Sequence, residues 1–129
     1  MRIGELAKAA GTTTKALRFY EDQGLLRPAE RTPAGYRDYA PDVVTRIDFI
    51  HRGQAAGLTL AQIGQILQIR DRGQAPCDHV RDLLDTRLSE IDTQIAQLRM
   101  LRATIVALLD DAAQTEPETC SPGQVCRYL

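Results

Sequence analysis

The sequence lacks an apolar run long enough to cross a bilayer, and it lacks a basic segment followed by an apolar one at the N-terminus. Without a membrane-spanning run or a secretory leader, neither export nor membrane insertion is expected. A chain of 129 residues has room for one domain, or for a compact domain plus one extended element. We therefore expect a cytoplasmic protein with no membrane partner.

Cysteine is scarce, with three residues in the whole chain. An odd number of thiols in a reducing compartment is poorly explained by disulfide bonds, which leaves metal binding, redox sensing or simple burial. Cys77 stands alone before a long apolar-periodic segment, whereas Cys120 and Cys126 lie in a polar tail that offers little core to enter. Three thiolates could fill a trigonal or tetrahedral shell around a soft metal ion.

Neither sign of charge dominates the chain, whose formal net charge is −1, but the charges are unevenly distributed. Residues 1–70 carry 10 Lys+Arg and 7 Asp+Glu, hence +3, and residues 71–129 carry 6 and 10, hence −4. Only the N-terminal part could therefore face a polyanion. The difference is too small to establish such a partner, because many ordinary domains show as much.

The N-terminal part has the pattern of short helices. Apolar residues recur at helical spacing from Ile3 to Ala10, and Gly11 then breaks the pattern. Thr12 and Thr13 are both good N-cap residues for a second helix, which Gly24 ends. Two short helices joined by a glycine turn predict a helix-turn-helix.

A small hairpin is predicted next. A Pro-Ala-Gly turn at 33–35 separates residues 31–32 from 36–39, and a pair of strands this short has to lean on the helices. Its basic and aromatic side chains would be available for phosphate or groove-edge contacts. These side chains are Arg31, Tyr36, Arg37 and Tyr39. Two further helices follow, the first opening at Pro41 and the second capped by Thr59.

Glycine and proline are absent from residues 78–113. The apolar residues there recur in steps of four and three, at Leu84, Leu88, Ile91, Ile95 and Leu98. A helix of about 35 residues would be roughly 50 Å long, far longer than the average helix of a globular protein. Because a domain of this size cannot bury one stripe on so long a rod, we expect the helix to pair with the same helix of a second chain.

Seven ordered stretches carry a family resemblance. They are IGELA at 3–7, LRFYE at 17–21 with GLL at 24–26, RT at 31–32, GYRDY at 35–39, IDFI at 47–50 and GLTL at 57–60. Together they resemble the MerR family of bacterial transcription regulators, in order, from residue 2 to about residue 112. The resemblance implies a mainly α fold, with a winged helix-turn-helix DNA-binding domain followed by a long dimerisation helix that forms an antiparallel coiled coil.

The resemblance also implies a domain organisation and a mode of action. It implies a DNA-binding domain over 1–70, a linker over 71–77, a dimerisation helix over 78–113 and a metal-binding loop and tail over 114–129. Such a homodimer binds double-stranded promoter DNA and, on binding an effector, bends and untwists it so that RNA polymerase at the same promoter starts transcription. The positions that match the family's DNA contacts are Thr13, Thr14, Lys15, Arg18 and Tyr20 in the second helix and Tyr36, Arg37 and Tyr39 in the wing.

The cysteines match the heavy-metal-responsive subgroup of that family. There the first cysteine comes from one subunit and the loop pair from the other, which implies a site of Cys77, Cys120 and Cys126 across the dimer interface. Members that sense monovalent copper generally lack the first cysteine, so a divalent soft metal ion (Hg, Cd, Pb or Zn) is the expected effector. His79 is a candidate fourth ligand, although an offset of two residues on a helix points its side chain away from that of Cys77.

Four alternatives remain open for the function. They are a redox-sensing regulator, a monovalent-copper-sensing regulator, an intracellular metal-buffering protein without a promoter, and a regulator with a small organic effector. The last would need more chain than the short tail supplies. An enzyme is not expected, because a nucleophile and base at Cys77 and His79 would have no third orienting group or oxyanion donor.

Overall fold

The computed structural model describes residues 1–116 and 120–129. Within them the chain forms five helices and one two-stranded sheet. In chain order these are α1 (Ile3–Ala10), α2 (Thr14–Asp22), β1 (Glu30–Arg31), β2 (Arg37–Asp38), α3 (Val43–Ala55), α4 (Leu60–Asp71) and α5 (Cys77–Ala113). The mainly helical fold expected from the sequence is confirmed. Of the loop predicted over 114–129, residues 117–119 lie outside the described residues.

The helix-turn-helix forms where the capping residues predict it. Gly11 ends α1 with φ 66°, a left-handed backbone conformation that glycine adopts without strain. The Thr13 hydroxyl then accepts a hydrogen bond from the backbone N–H of Ala16 at 3.1 Å and starts α2. The turn between the two helices is therefore set by local chemistry.

The predicted hairpin is an antiparallel pair in which Glu30 faces Asp38 and Arg31 faces Arg37. Its turn is closed by the N–H of Thr32, which donates to the carbonyl of Tyr36 at 2.7 Å. We call residues 30–39 the wing. It leans on the helices through Tyr39, which lies in the hydrophobic core at 3% exposure.

Helices α3 and α4 complete the core. Thr59 caps α4 through a reciprocal capping box with Gln62, as its position predicts. A Cβ placed on Gly53 would lie 2.8 Å from Cδ1 of Ile63, so α3 and α4 cross in direct contact at a position that only glycine fits. The core side chains are Leu6, Ala7, Ala10, Leu17, Tyr20, Leu25, Leu26, Tyr39, Ile47, Ile50, Leu58, Ile63, Ile66 and Leu67.

The long helix begins one residue earlier than predicted. The N–H of Val80 donates to the carbonyl of Pro76 at 2.9 Å, which makes Cys77 the first residue of α5 and leaves residues 72–76 as the connection from α4. Val80 and Leu83 pack against the core, but α5 has no fully buried residue. Along α5, exposed apolar side chains are Leu84, Leu88, Ile95, Leu98, Met100, Leu101, Ile105, Val106 and Leu109.

The chain divides into two units, Met1–Arg87 and Leu88–Leu129. The first contains the helix-turn-helix, the wing and the core, and the second contains the rest of α5 and the tail. Among the described helices, none combines the length and the apolar character that a membrane span requires.

Candidate functional site

Helix α2 presents a polar, basic face to solvent. Lys15 and Arg18 are exposed and lie three residues apart, so they share one side of the helix, while Leu17 is fully buried on the other. Thr13 is exposed and Thr14 is half-buried at the start of the helix. The predicted start of a recognition helix is thus accessible, with two cations on its outer face.

Tyr20 lies on the inner face of the same helix. It is 6% exposed, and its hydroxyl donates to Oε1 of Gln54 on α3 at 3.3 Å. The side chain therefore joins α2 to α3, because Tyr20 follows Leu17 by three residues and shares its buried face. The DNA contact that the resemblance implies for this position stays a prediction.

One carboxylate organises the base of the wing. Glu21 Oε2 accepts a hydrogen bond from Nη1 of Arg37 at 2.9 Å, and Glu21 Oε1 accepts from the hydroxyl of Tyr39 at 3.1 Å and from the N–H of Ala29 at 3.1 Å. The Glu21 side chain is 11% exposed. Three donors from the wing and its approach therefore converge on the last turn of α2. We call Glu21, Ala29, Arg37 and Tyr39 the wing clamp.

The wing clamp shifts the pKa values of two of its members. Burial raises the pKa of Tyr39; the neighbouring Arg37 opposes that rise, and the hydrogen bond with Glu21 adds to it. Hydrogen bonding with Tyr39 and the negative charge of Glu21 raise the pKa of Arg37. Arg37 therefore stays charged and Tyr39 stays neutral at physiological pH. Tyr39, at 3% exposure, supports the wing from inside, and its contact with DNA stays a prediction.

The outer part of the wing remains accessible. Tyr36 is 54% exposed, and the guanidinium of Arg2 lies 4.4 Å from the centre of its ring, a cation–π contact. Arg31 is exposed, and its Nη1 donates to the carbonyl of Gly35 across the turn at 3.0 Å. Two arginines and one aromatic ring thus lie together at this edge. Arg2 and Glu21 could not be identified as site residues from the sequence, because their partners are distant along the chain and no spacing pattern signals them.

The three thiols are free and exposed. Cys77 begins α5 in the first unit, and Cys120 and Cys126 lie in the tail of the second. The Sγ of Cys120 accepts a hydrogen bond at 2.9 Å from the N–H of Arg127, whose nitrogen is bonded to the carbonyl carbon of Cys126. The tail is therefore a closed loop with a cysteine at each end. Within residues 1–116 and 120–129, no three His, Cys, Asp or Glu side chains gather as a metal-binding group.

His79 lies on the half-buried side of α5, while Cys77 is exposed. Its Nε2 is buried and has no hydrogen-bond partner among the described residues. The different exposure of the two side chains agrees with the expected divergence of residues two apart on a helix. His79 stays a candidate ligand, and the sulfur atoms supply the donors suited to a soft cation.

Comparison with known proteins gives two family matches. The family "MerR HTH family regulatory protein" matches residues 1–69, and "MerR, DNA binding" matches residues 44–108. Together they cover α1 to α4, the wing and most of α5. The matches therefore include every element that carries the candidate DNA-binding side chains.

Individual relatives agree over nearly the full length. The chain is 41% identical over 110 residues to the HTH-type transcriptional regulator HmrR of Rhizobium leguminosarum bv. viciae, covering 84% of each chain. It is 36% identical over 107 residues to the mercuric resistance operon regulatory protein of Bacillus cereus, covering 83% of this chain and 81% of that protein. It also matches the crystal structure of the transcription regulator PbrR691 from Ralstonia metallidurans CH34 in complex with lead(II), with a TM-score of 0.78 and 33% identity, over 100% of this chain and 96% of that one. The chain belongs to the MerR family, and it is a DNA-binding transcription regulator rather than an enzyme.

Proposed function

We propose that this protein is a cytoplasmic, metal-responsive transcription activator that binds promoter DNA as a homodimer. Its effector is a divalent soft metal ion (Hg, Cd, Pb or Zn), held by Cys77, Cys120 and Cys126. The observation that carries the proposal is the pair of exposed cysteines in the loop that the Arg127 N–H closes on Cys120 Sγ, together with a third exposed thiol that begins α5. One relative is named for mercuric resistance, and another was crystallised with lead(II).

The donor set fits a thiophilic ion. Exposed thiols in a loop closed by its own backbone can present sulfur without breaking a hydrophobic core, since none of the three lies in it. A bound ion would supply a positive charge that three thiolates neutralise from different segments of the chain. Thiolate affinity alone gives little selectivity among mercury, cadmium, lead and zinc, so the choice of ion depends on the geometry of the loop.

The dimer is supported by α5. Its exposed apolar side chains include Leu88 at 58%, Leu98 at 65% and Leu109 at 65%. Such a long apolar stripe on one helix is the mark of an unpaired interface. In the proposed dimer, Cys77 of one subunit and the loop cysteines of the other complete each site.

DNA binding is supported by α2 and the wing. Lys15, Arg18 and Arg31 are exposed cations, and Tyr36 is an exposed ring beside Arg2. Arginine and lysine side chains anchor a protein to phosphates, while the start of a helix in the major groove can read base edges. Activation by distorting the promoter, with RNA polymerase bound at the same site, would draw on these contacts because deformation of DNA costs a few kcal/mol.

The proposal is tested by changing each cysteine to serine. In purified dimer, Cys77→Ser, Cys120→Ser and Cys126→Ser should each abolish metal-driven transcription and leave operator affinity nearly intact. Thiolate-to-metal absorption during competitive titration with Hg²⁺, Cd²⁺, Pb²⁺, Zn²⁺ and Cu⁺ measures the preference and the number of ions per dimer. Ser121→Ala, beside Cys120, is the matched control and should behave like the wild type.

Other outcomes separate the alternatives. DNA binding through phosphate contacts releases counterions, so operator affinity should fall steeply with salt concentration. A chain that binds metal ions but does not bind the operator in this way would be a metal buffer. If the protein prefers Cu⁺ to the divalent ions, its effector is monovalent copper. If an oxidant activates transcription without any metal ion, the protein is a redox sensor. Loss of operator binding in the serine variants would give the thiols a structural role.

A further inference from the structure

Helix α5 touches the turn between α3 and α4 through one arginine. A Cβ placed on Gly57 would lie 2.5 Å from Nε, 2.9 Å from Nη2 and 3.0 Å from Cζ of Arg87. The flat guanidinium therefore rests directly on the backbone of Gly57, in space that any side chain would fill. Gly57 also has φ 81°, a left-handed backbone conformation that other residues rarely adopt, so glycine is favoured there even if the Arg87 side chain moves aside.

The turn that Arg87 covers is rigidly joined to both helices. The N–H of Leu58 donates to the carbonyl of Gly53 at 3.0 Å, and Leu58 itself is 8% exposed. Gly53 in turn packs directly against Ile63 of α4. Because packed interiors transmit displacement, a push on the turn moves α3 and α4 together.

Arg87 lies on the side of α5 that faces α1 to α4 and the wing, which together we call the DNA-binding unit. It follows Val80 and Leu83 at spacings of seven and four, and both of those side chains pack against the core. Arg87 is also the last residue of the first unit. It lies ten residues after Cys77 on one continuous helix, about 15 Å along the axis. The same helix thus begins at a proposed metal ligand and contacts the α3–α4 turn through Arg87.

We propose that Arg87 is a positioning residue that transmits the state of the metal site to the DNA-binding unit. This inference rests on the proposed function. A rotation or shift of α5 moves a planar group that is seated against backbone, and the backbone has no side chain to absorb the movement. Metal capture and promoter distortion are thereby coupled without Arg87 touching either the ion or DNA.

The test compares Arg87→Met and Arg87→Lys with the wild-type dimer. Methionine keeps an apolar side chain and lacks the guanidinium group. Lysine keeps the positive charge but lacks the planar shape of the guanidinium. Hg²⁺, Cd²⁺, Pb²⁺ and Zn²⁺ are each added alone, and three quantities are measured: metal affinity by absorption, operator affinity by fluorescence anisotropy, and operator distortion by 2-aminopurine fluorescence at the centre of the site. Arg81→Met, an exposed arginine on the same helix, is the control.

In Arg87→Met we expect both affinities to stay near the wild-type values while the metal-dependent distortion falls about tenfold, with Arg87→Lys between the two. Full distortion in Arg87→Met overturns the inference and leaves the proposed function standing. Loss of metal or operator affinity in both folded variants overturns it too, in favour of a structural role. If Arg87→Met does not fold, the metal-dependent distortion in Arg87→Lys decides: a reduced distortion with unchanged affinities supports the inference, and full distortion overturns it. A wild-type dimer that responds to none of the four ions overturns the proposed function, and the inference with it.

Discussion

Glu21 shows how a single residue governs a surface that it does not form. Its nearly buried carboxylate accepts from Arg37, Tyr39 and Ala29, so the basic wing is held to α2 through one acceptor group. The Arg37 side chain keeps 40% of its surface exposed while its Nη1 is held by Glu21. The role of Glu21 is therefore to fix the wing in the orientation that the exposed side chains need.

Replacing Glu21 with glutamine should destabilise the first unit by about 1–3 kcal/mol, since a charged acceptor of three hydrogen bonds is lost and Arg37 is left without its counter-charge. Urea unfolding followed by circular dichroism measures the change. Asp48→Asn removes one exposed carboxylate from α3 and should stay within about 0.5 kcal/mol of the wild type. Equal losses in the two variants would show that net charge, and not the wing clamp, sets the stability.

Helix α2 combines two roles in nine residues. One face carries Leu17 and Tyr20 into the core, and the other presents Lys15 and Arg18 to solvent. Because the buried face is fixed by packing and by the Tyr20–Gln54 hydrogen bond, the exposed cations are held by a rigid support. This is the arrangement expected of a helix that enters a groove of DNA.

Arg18→Ala should weaken operator binding and lower the slope of log affinity against log salt by about 1, as expected for one lost phosphate contact. Fluorescence anisotropy over a range of potassium chloride concentrations gives both quantities. Arg99→Ala, which removes an exposed cation from α5, should leave the slope unchanged. An unchanged slope in Arg18→Ala would remove that residue from the phosphate contacts.

The elements that local chemistry determines could be predicted from the sequence. Thr13 and Thr59 cap their helices as expected, and the wing turn is closed at Gly35. The wing clamp could not be predicted, because residues 21 and 37 are joined only by the folded arrangement of α2 and the wing. For the same reason, matching Tyr39 to a family motif did not reveal that its ring is buried.

At the scale of the whole molecule, α5 is the part that a single chain leaves incomplete. No residue of this helix is fully buried, and its apolar stripe continues from Leu84 to Leu109. Cys77 is the first residue of α5, and Cys120 and Cys126 follow its end in the other unit. A second chain laid along the stripe would bury the apolar side chains and bring a second set of thiols, so the proposed dimer and the proposed metal site would depend on the same surface.

Ile95→Glu tests that surface directly. Two copies of the new charge would enter the seam of the dimer, and a cost of about 3 kcal/mol would raise the dissociation constant about 100-fold. Sedimentation velocity at matched concentration should then report the monomer mass, and operator affinity should fall because one DNA-binding unit reaches only half of the site. Gln97→Glu adds the same charge on another face of α5 and should remain dimeric. If Ile95→Glu kept the dimer mass, subunits would have to associate through a surface other than this stripe, and the shared metal site would lose its structural basis.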